Sequence, residues 1–193
     1  MAADDFRLAF ICTGNRFRSP LAAAVAADSA AGLPVTVESA GLLELRGAGA
    51  LDEAIAAGAL LGLDLGAHRC RRLRPGSLAG TDLVVGFERK HVNAAISDGG
   101  ANVARAFTLP EVVSLLDQVD RPAYSEPIAG ARELVRAAHE LRGSETRQPH
   151  PVEIPDPLGQ ADPLQRRIAD SVADLSRRLV AALFETTGRI TPP

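Results

Sequence analysis

The chain has 193 residues, 46% of them hydrophobic and 23% charged, with a formal net charge of -3 at pH 7. This length suits one domain with a sizeable core, and the charge, without a long basic run, disfavours nucleic acid as a partner. Two cysteines cannot form a disulfide framework, the acidic start does not resemble a secretory signal, and no apolar run reaches the roughly 18 residues that span a membrane. We therefore expect one domain over residues 1–193, in the cytoplasm and without membrane contact.

The arrangement of apolar residues predicts alternating strands and helices along most of the chain. Apolar stretches predict strands over residues 6–11, 35–39, 82–87 and 103–109. Between them the sequence predicts helices over residues 19–31, 51–61 and 88–96. Nearly continuous apolar strands are typical of a parallel sheet, and strands alternating with helices imply right-handed crossovers. The sequence therefore predicts an α/β fold.

Residues 118–151 are less regular, with several prolines and many charges. Within this segment, apolar residues at helical spacing predict one amphipathic helix over residues 128–141. We expect a surface elaboration of the domain, with a mobile lid or an oligomer contact as alternatives.

The last predicted element is a long helix that begins at Pro163, with Asp162 as its N-cap. It presents one apolar face, because apolar residues recur every three or four positions: Leu164, Ile168, Val172, Leu175, Leu179 and Leu183.

The segment Cys-Thr-Gly-Asn-Arg-Phe-Arg-Ser-Pro, residues 12–20, follows the first predicted strand and opens the first predicted helix. Backbone N–H groups at such a turn point at an oxyanion, and the same positive field favours the thiolate form of Cys12. The planar guanidinium of Arg18 can bind two oxygens of a phosphoryl group. The segment therefore predicts a phosphate-binding loop with a nucleophile at its base.

A second motif, Ile-Pro-Asp-Pro at residues 154–157, supplies an acid. Two prolines stiffen the backbone around Asp156, which suits a general acid on a loop. The two motifs together predict a two-step hydrolysis of phosphomonoesters, in which Cys12 forms a phosphocysteine and Asp156 acts first as acid and then as base. Ser19 is placed to donate a hydrogen bond to the sulfur. No metal-ligand spacing is visible, so we expect neither a metal nor a cofactor.

With these motifs the chain resembles the low-molecular-weight protein tyrosine phosphatase family. The resemblance covers nearly the whole chain except residues 118–151, and it implies a flavodoxin-like, three-layer α/β/α fold whose four parallel strands follow the order 2-1-3-4. The matching segments are residues 12–15 with 18–20, residues 39–41, residues 68–71, residues 82–85 and Asp156-Pro157.

The resemblance also implies residue roles. Cys12 is then the nucleophile, Arg18 the phosphate ligand and Asp156 the general acid. The substrate would meet Thr13, Gly14, Asn15, Arg16, Phe17, Ser19, Leu45 and Leu158. Asn15, Ser19, Ser39 and His68 would support the loop through hydrogen bonds, and asparagine tolerates the left-handed backbone that such a loop needs. The alternatives are a purely structural role for His68 and an ordinary strand-end hydroxyl for Ser39.

Several positions depart from the family pattern. Arg16 replaces a small or β-branched residue, so it either attracts a second anionic group of the substrate or points to solvent. Leu45 and Leu158 stand where aromatic residues usually wall the cleft, which loses ring stacking worth on the order of 1 kcal/mol. Phe17 replaces a second loop cysteine that protects the nucleophile in many members. Cys70 is expected to be a small core residue.

The sequence leaves the substrate open. The default is phosphotyrosine on a protein, and the alternative is an acidic sugar phosphate or a nucleotide phosphate. An arsenate reductase is less favoured, because the thioredoxin-dependent type needs a cysteine pair after the third strand and residues 88–100 contain none. A non-catalytic phosphate-binding module is disfavoured by the presence of nucleophile, arginine and acid together. The oligomeric state is not predicted.

Overall fold

The computed structural model describes residues 5–120, 124–144 and 153–184. Its centre is a four-stranded sheet in the order β2-β1-β3-β4, with every neighbouring pair parallel. The strands are β1 Phe6–Cys12, β2 Val35–Gly41, β3 Leu83–Gly86 and β4 Ala106–Thr108. The predicted fold class and strand order are confirmed.

Helices cover both faces of this sheet. In the described part of the chain they are α1 Arg18–Ser29, α2 Asp52–Leu60, α3 Arg89–Ser97, α4 Leu109–Leu116, α5 Pro127–Ser144 and α6 Asp162–Phe184. Side chains alternate across β1, so Phe10 joins the core beneath α1, α4, α5 and α6, whereas Ile11 joins the core beneath α3. None of the helices in the described ranges combines the length and the apolar character that crossing a membrane requires.

The register of the parallel strands brings their carboxyl ends together. Cys12 at the end of β1 lies opposite Gly41 at the end of β2, and Ile11 lies opposite Gly86 at the end of β3. Ligands of open parallel sheets bind in the crevice outside the carboxyl ends of the strands. The loops that follow β1, β2 and β3 therefore meet where a site is expected.

The predicted fourth strand, residues 103–109, is wrong at both ends. Val103–Arg105 is a 3-10 turn, and the side chain of Asn102 stabilises it by accepting a hydrogen bond from the N–H of Ala104 at 2.9 Å. A side chain that satisfies a turn in this way competes with strand pairing.

At the other end of this stretch, Leu109 begins helix α4, which the sequence analysis missed. The carboxylate of Glu111 accepts a hydrogen bond from the N–H of Thr108 at 3.0 Å. Threonine followed three residues later by glutamate is a helix-start signal. The apolar residues on both sides of Thr108 concealed this signal, because burial favours the same residue types in a strand and in a buried helix.

Helix α5 is an integral part of the domain rather than a surface addition. Its apolar face enters the same core as α4 and α6, with Ala131, Leu134, Val135 and Ala138 buried. The remainder of the predicted elaboration includes residues 121–123 and 145–151, which lie outside the described residues.

We predict that Leu134→Ala lowers the free energy of unfolding by about 2–5 kcal/mol, because it leaves a cavity at a side chain that is 4% exposed. Urea unfolding measures the change. The control is Arg136→Ala on the exposed face of α5, which should have a much smaller effect. Equal effects of the two substitutions would contradict the packing of α5 in the core.

Candidate active site

The segment between β1 and α1 forms a tight loop around the side chain of Cys12. Residues 13–17 connect the end of β1 to the start of α1 at Arg18. Asn15 has a φ of 54°, the only positive φ of a non-glycine residue in the described ranges. Asparagine adopts this left-handed conformation more readily than most residues. The backbone therefore turns back over the cysteine.

The sulfur of Cys12 is held by two neighbours. The N–H of Asn15 donates to Sγ at 3.2 Å, and Ser19 Oγ lies 3.0 Å from the same sulfur. Ser19 Oγ also accepts a hydrogen bond from Asn15 Nδ2 at 2.9 Å. The hydroxyl hydrogen of Ser19 has two acceptors within reach, the sulfur at 3.0 Å and the backbone oxygen of Ala40 at 3.4 Å. The sulfur is the nearer one, so the hydroxyl can donate to it, as a thiolate requires.

The side chain of Asn15 is fully used in supporting the loop. Its Nδ2 also donates to Ser39 Oγ at 2.9 Å, and its Oδ1 accepts from the N–H of Arg71 at 2.9 Å. His68 Nε2 donates to the backbone oxygen of Asn15 at 2.8 Å, since a carbonyl oxygen only accepts. The structure thus brings together the four residues expected to support the loop.

Cys70 takes part in this support, which corrects its expected place in the core. It is half-buried, and its thiol donates to the backbone oxygen of Asn15 at 3.3 Å. Burial raises the pKa of the Cys70 thiol. Burial also lowers the pKa of His68, although its hydrogen bond to Asn15 opposes the shift.

The side chain of Arg18 is buried, at 2% exposure, although a guanidinium is a positively charged group. One terminal nitrogen donates to Glu88 Oε1 at 2.6 Å and to the backbone oxygen of Ile154 at 2.9 Å. The other donates to Asp156 Oδ2 at 2.6 Å. A buried charge is stable only when it is paired and hydrogen-bonded. Arg18 therefore binds two carboxylates that are distant from it in the chain.

Glu88 and His91, which follow β3, were missed by the sequence analysis. Burial opposes ionisation of Glu88, but hydrogen bonds from Lys90 and Arg18 outweigh it and lower the pKa of this carboxyl. His91 Nε2 lies 3.0 Å from Thr13 Oγ1, and burial lowers the pKa of this histidine to about 4. The available signal was their place beyond the carboxyl end of a buried parallel strand.

Asp156 lies at the opening of the loop with a partly exposed carboxylate. Its Oδ1 accepts a hydrogen bond from the N–H of Leu158 at 3.1 Å. The preceding Ile154 donates its N–H to the backbone oxygen of Phe87 at 2.9 Å, just after β3. The bond from Ile154 holds the segment with Asp156 at the carboxyl end of the sheet, where Cys12 also lies, and the bond from Leu158 fixes the turn within the segment.

The remaining predicted substrate contacts differ in position. Leu45 lies directly over Gly14, because a Cβ added to Gly14 would be 3.4 Å from its Cδ1. Arg16 is anchored by a hydrogen bond from Nε to the backbone oxygen of Gly49 at 3.0 Å. Leu158 is 69% exposed at the rim.

The side chain of Phe17 is buried in the main core. Only its backbone therefore belongs to the loop surface that a substrate could meet.

Gly41 allows the loop to approach β2. A Cβ at this position would lie 2.7 Å from the backbone nitrogen of Asn15 and 2.8 Å from the carbonyl carbon of Gly14. Neither backbone atom can move without changing the loop. Position 41 therefore requires glycine for space.

Comparison with known proteins is consistent with this geometry. The family model described as "Low molecular weight phosphotyrosine protein phosphatase" matches residues 7–141, which is most of the chain. The chain belongs to this family. It is therefore a hydrolase, a cysteine-dependent phosphatase. The match includes Cys12 and Arg18 and ends before Asp156.

Solved structures with a similar fold align with nearly the whole of this chain. The low molecular weight protein tyrosine phosphatase from T. tengcongensis is 23% identical, with a TM-score of 0.66 over 91% of this chain and 98% of that chain. A YwlE mutant from Bacillus subtilis is 25% identical, with a TM-score of 0.66 over 91% and 97%. The YwlE arginine phosphatase from Geobacillus stearothermophilus is 24% identical, with a TM-score of 0.65 over 91% and 90%. Comparison with curated protein sequences gives no significant match.

We predict that Gly41→Ala lowers the phosphatase activity at least about tenfold, because a displacement of the loop on the order of 1 Å misplaces the reacting groups. Steady-state hydrolysis of para-nitrophenyl phosphate measures it. The control is Gly49→Ala, whose Cβ would make only ordinary contacts of 3.6 Å or more. Unchanged activity of Gly41→Ala would contradict the close approach of the loop to β2.

Proposed function

We propose that the protein hydrolyses phosphotyrosine in proteins through a phosphocysteine intermediate on Cys12. One observation supports this most directly. Cys12 and Arg18 stand at the two ends of the loop after β1: the sulfur of Cys12 lies against Ser19, and the guanidinium of Arg18 donates to Thr13 of the loop and to Asp156. Nucleophile, phosphate ligand and acid are the parts that phosphomonoester hydrolysis without a metal requires.

In the first step the thiolate of Cys12 attacks phosphorus and forms an S–P bond. The bond from phosphorus to the leaving oxygen breaks, and Asp156 protonates that oxygen. In the second step water attacks phosphorus, Asp156 takes its proton, and the S–P bond breaks to release phosphate and the thiolate. Arg18 and the loop N–H groups stabilise the negative charge on the other phosphoryl oxygens. Ser19 stabilises the sulfur anion as it leaves.

The ion pair between Arg18 and Asp156 indicates how substrate binding prepares the acid. The Arg18 nitrogen that holds Asp156 is also the one nearest Thr13 of the loop, at 3.4 Å from Thr13 Oγ1. A phosphoryl group on the loop competes with the carboxylate for this nitrogen. Substrate binding would thus release Asp156 to face the leaving oxygen.

Phosphotyrosine is the default substrate because the description of the family names it. In addition, Leu45 beside Gly14 supplies an apolar surface for an aromatic ring. The second candidate is a small acidic phosphomonoester, such as a carboxylated sugar phosphate or a nucleotide. Arg16 favours it, because Gly49 anchors its Nε and leaves its terminal nitrogens without a described hydrogen bond. Arsenate reduction gains no support, since the described residues after β3 carry no cysteine.

We predict that Asp156→Asn slows hydrolysis of phosphomonoesters with poor leaving groups by about 100-fold or more. A leaving alkoxide needs the proton most, and general acid catalysis contributes typically 10²–10⁴-fold. Rates for a series of phenyl phosphates with different leaving-group pKa measure the effect, and Cys12→Ser supplies the inactive baseline. Equal slowing across the series would remove Asp156 from the role of acid.

We predict that the native protein hydrolyses phosphotyrosine peptides with a higher kcat/KM than sugar phosphates, nucleotides and phosphoarginine. A single assay panel measures this preference. If the second candidate is right, the acidic phosphomonoesters lead the panel, and Arg16→Ile lowers only their kcat/KM because a charge-assisted contact is lost. Equal kcat/KM values of Arg16→Ile and the native protein for every substrate would exclude a second anion site at Arg16.

A further inference from the structure

His91 is a buried titratable residue that the proposed mechanism does not use. It lies in the first turn of α3, has no exposed surface, and accepts hydrogen bonds at Nδ1 from the backbone N–H groups of Phe87 and Glu88, at 3.3 and 3.1 Å. Since Nδ1 is an acceptor, the ring hydrogen of the neutral imidazole is on Nε2. Nε2 therefore donates to Thr13 Oγ1 at 3.0 Å.

The imidazole is neutral near pH 7. Burial lowers the pKa of His91 to about 4, and the charge of Arg18 adds to this shift. Lys90 lowers the pKa further, whereas Glu88 and Asp156 oppose the change. These are the charged groups that face the ring, so its hydrogen bonding is constant across the neutral pH range.

The hydroxyl of Thr13 then still has its own hydrogen to donate. It accepts from His91 Nε2, and a nitrogen of Arg18 lies 3.4 Å away as a second, weaker donor. Both neighbours are donors only, so neither can receive the hydroxyl hydrogen. That hydrogen must point elsewhere. The Arg18 nitrogen beside it is the one that holds Asp156, at 2.6 Å, and that a phosphoryl oxygen would take over.

We propose that the hydroxyl of Thr13 donates a hydrogen bond to the phosphoryl group of the substrate, and that His91 is the positioning residue that orients this hydroxyl. The inference rests on the proposed function, because it places the phosphoryl group on Arg18 and the loop. It adds a side-chain donor to the backbone donors of the loop and assigns a role to a histidine 78 residues away in sequence.

The first test separates the hydroxyl from the shape of the Thr13 side chain. Thr13→Val keeps the branched shape and loses the donor, so kcat/KM for para-nitrophenyl phosphate should fall about 10-fold or more, and the Ki of inorganic phosphate should rise similarly. Thr13→Ser restores the donor and should recover most of this loss. Thr36→Val removes a hydroxyl that binds Asp5 near the start of β2 and should change neither constant.

The second test separates the two nitrogens of His91. Asparagine places its amide oxygen near Nδ1, so His91→Asn keeps the acceptor for the N–H groups of Phe87 and Glu88 and loses the donor to Thr13. Glutamine places its amide nitrogen near Nε2, so His91→Gln keeps the donor. We expect His91→Asn to lose activity as Thr13→Val does, His91→Gln to retain more of it, and the double variant Thr13→Val/His91→Asn to be no worse than Thr13→Val.

The opposite order, with His91→Gln impaired and His91→Asn active, would show that His91 only caps α3. Native kcat/KM and Ki in Thr13→Val would overturn the role of the hydroxyl. Thermal unfolding of each variant shows whether it is folded, and Thr13→Ala replaces Thr13→Val if the latter does not fold.

A failure of the proposed function can be distinguished from a failure of the role proposed for Thr13. If the native protein hydrolyses no phosphomonoester, calorimetric titration with inorganic phosphate still compares the native protein with Thr13→Val. Weaker binding in the variant supports the hydroxyl donor, and equal binding overturns it.

Discussion

The burial of one positive charge organises this structure. Arg18 begins α1 beneath the loop, where water cannot solvate its guanidinium. Removing one partner of a buried ion pair costs roughly 3–5 kcal/mol, because the other charge remains without compensation. The groups that pair with Arg18 are Glu88, just after the end of β3, and Ile154 and Asp156, in a segment more than 130 residues further along the chain. The requirement to pair Arg18 thus assembles the site.

The two carboxylates on Arg18 are not equivalent. Glu88 is mostly buried, with side-chain exposure of 17%, and it also binds Lys90. Asp156 is 40% exposed and can turn towards solvent or substrate. An exposed carboxylate costs less to release from its pair than a buried one, because water replaces the lost partner. Glu88 is therefore suited to hold the arginine permanently, and Asp156 is suited to exchange with a phosphoryl group.

The sequence predicted the parts of the site that lie close together in the chain. The strand, the loop and the helix start of residues 6–29 are one local unit, so Cys12, Arg18 and Ser19 could be placed from their spacing alone, whereas the support by Asn15 was implied by the family resemblance. Asp156 was recognisable because its flanking prolines are a local signal. The family resemblance supplied Ser39 and His68, whose bonds to Asn15 the structure shows.

Glu88 and His91 were not predicted, because their roles depend on where the first turn of α3 lies relative to the loop after β1, which strand order alone does not give. Helix α4 was missed for a different reason. An apolar run is equally suited to a buried strand and a buried helix, so only the pairing of Thr108 with Glu111 distinguished them. Non-local contacts and buried apolar runs were thus the two limits of prediction.

The residues to which the proposed function assigns the reaction differ in burial from those to which it assigns specificity. Arg18 and Asp156 are joined by an ion pair at 2.6 Å, and the buried sulfur of Cys12 lies against Ser19, which follows Arg18 in the chain. Arg16 and Leu158 lie at the edge, where their contacts are a backbone oxygen for Arg16 and solvent for Leu158. Substitutions at the edge cost little stability, since surface changes away from buried features are nearly neutral. Under the proposed function, substitutions at Arg16 and Leu158 would therefore change substrate preference while the ion pair of Arg18 and Asp156 is preserved.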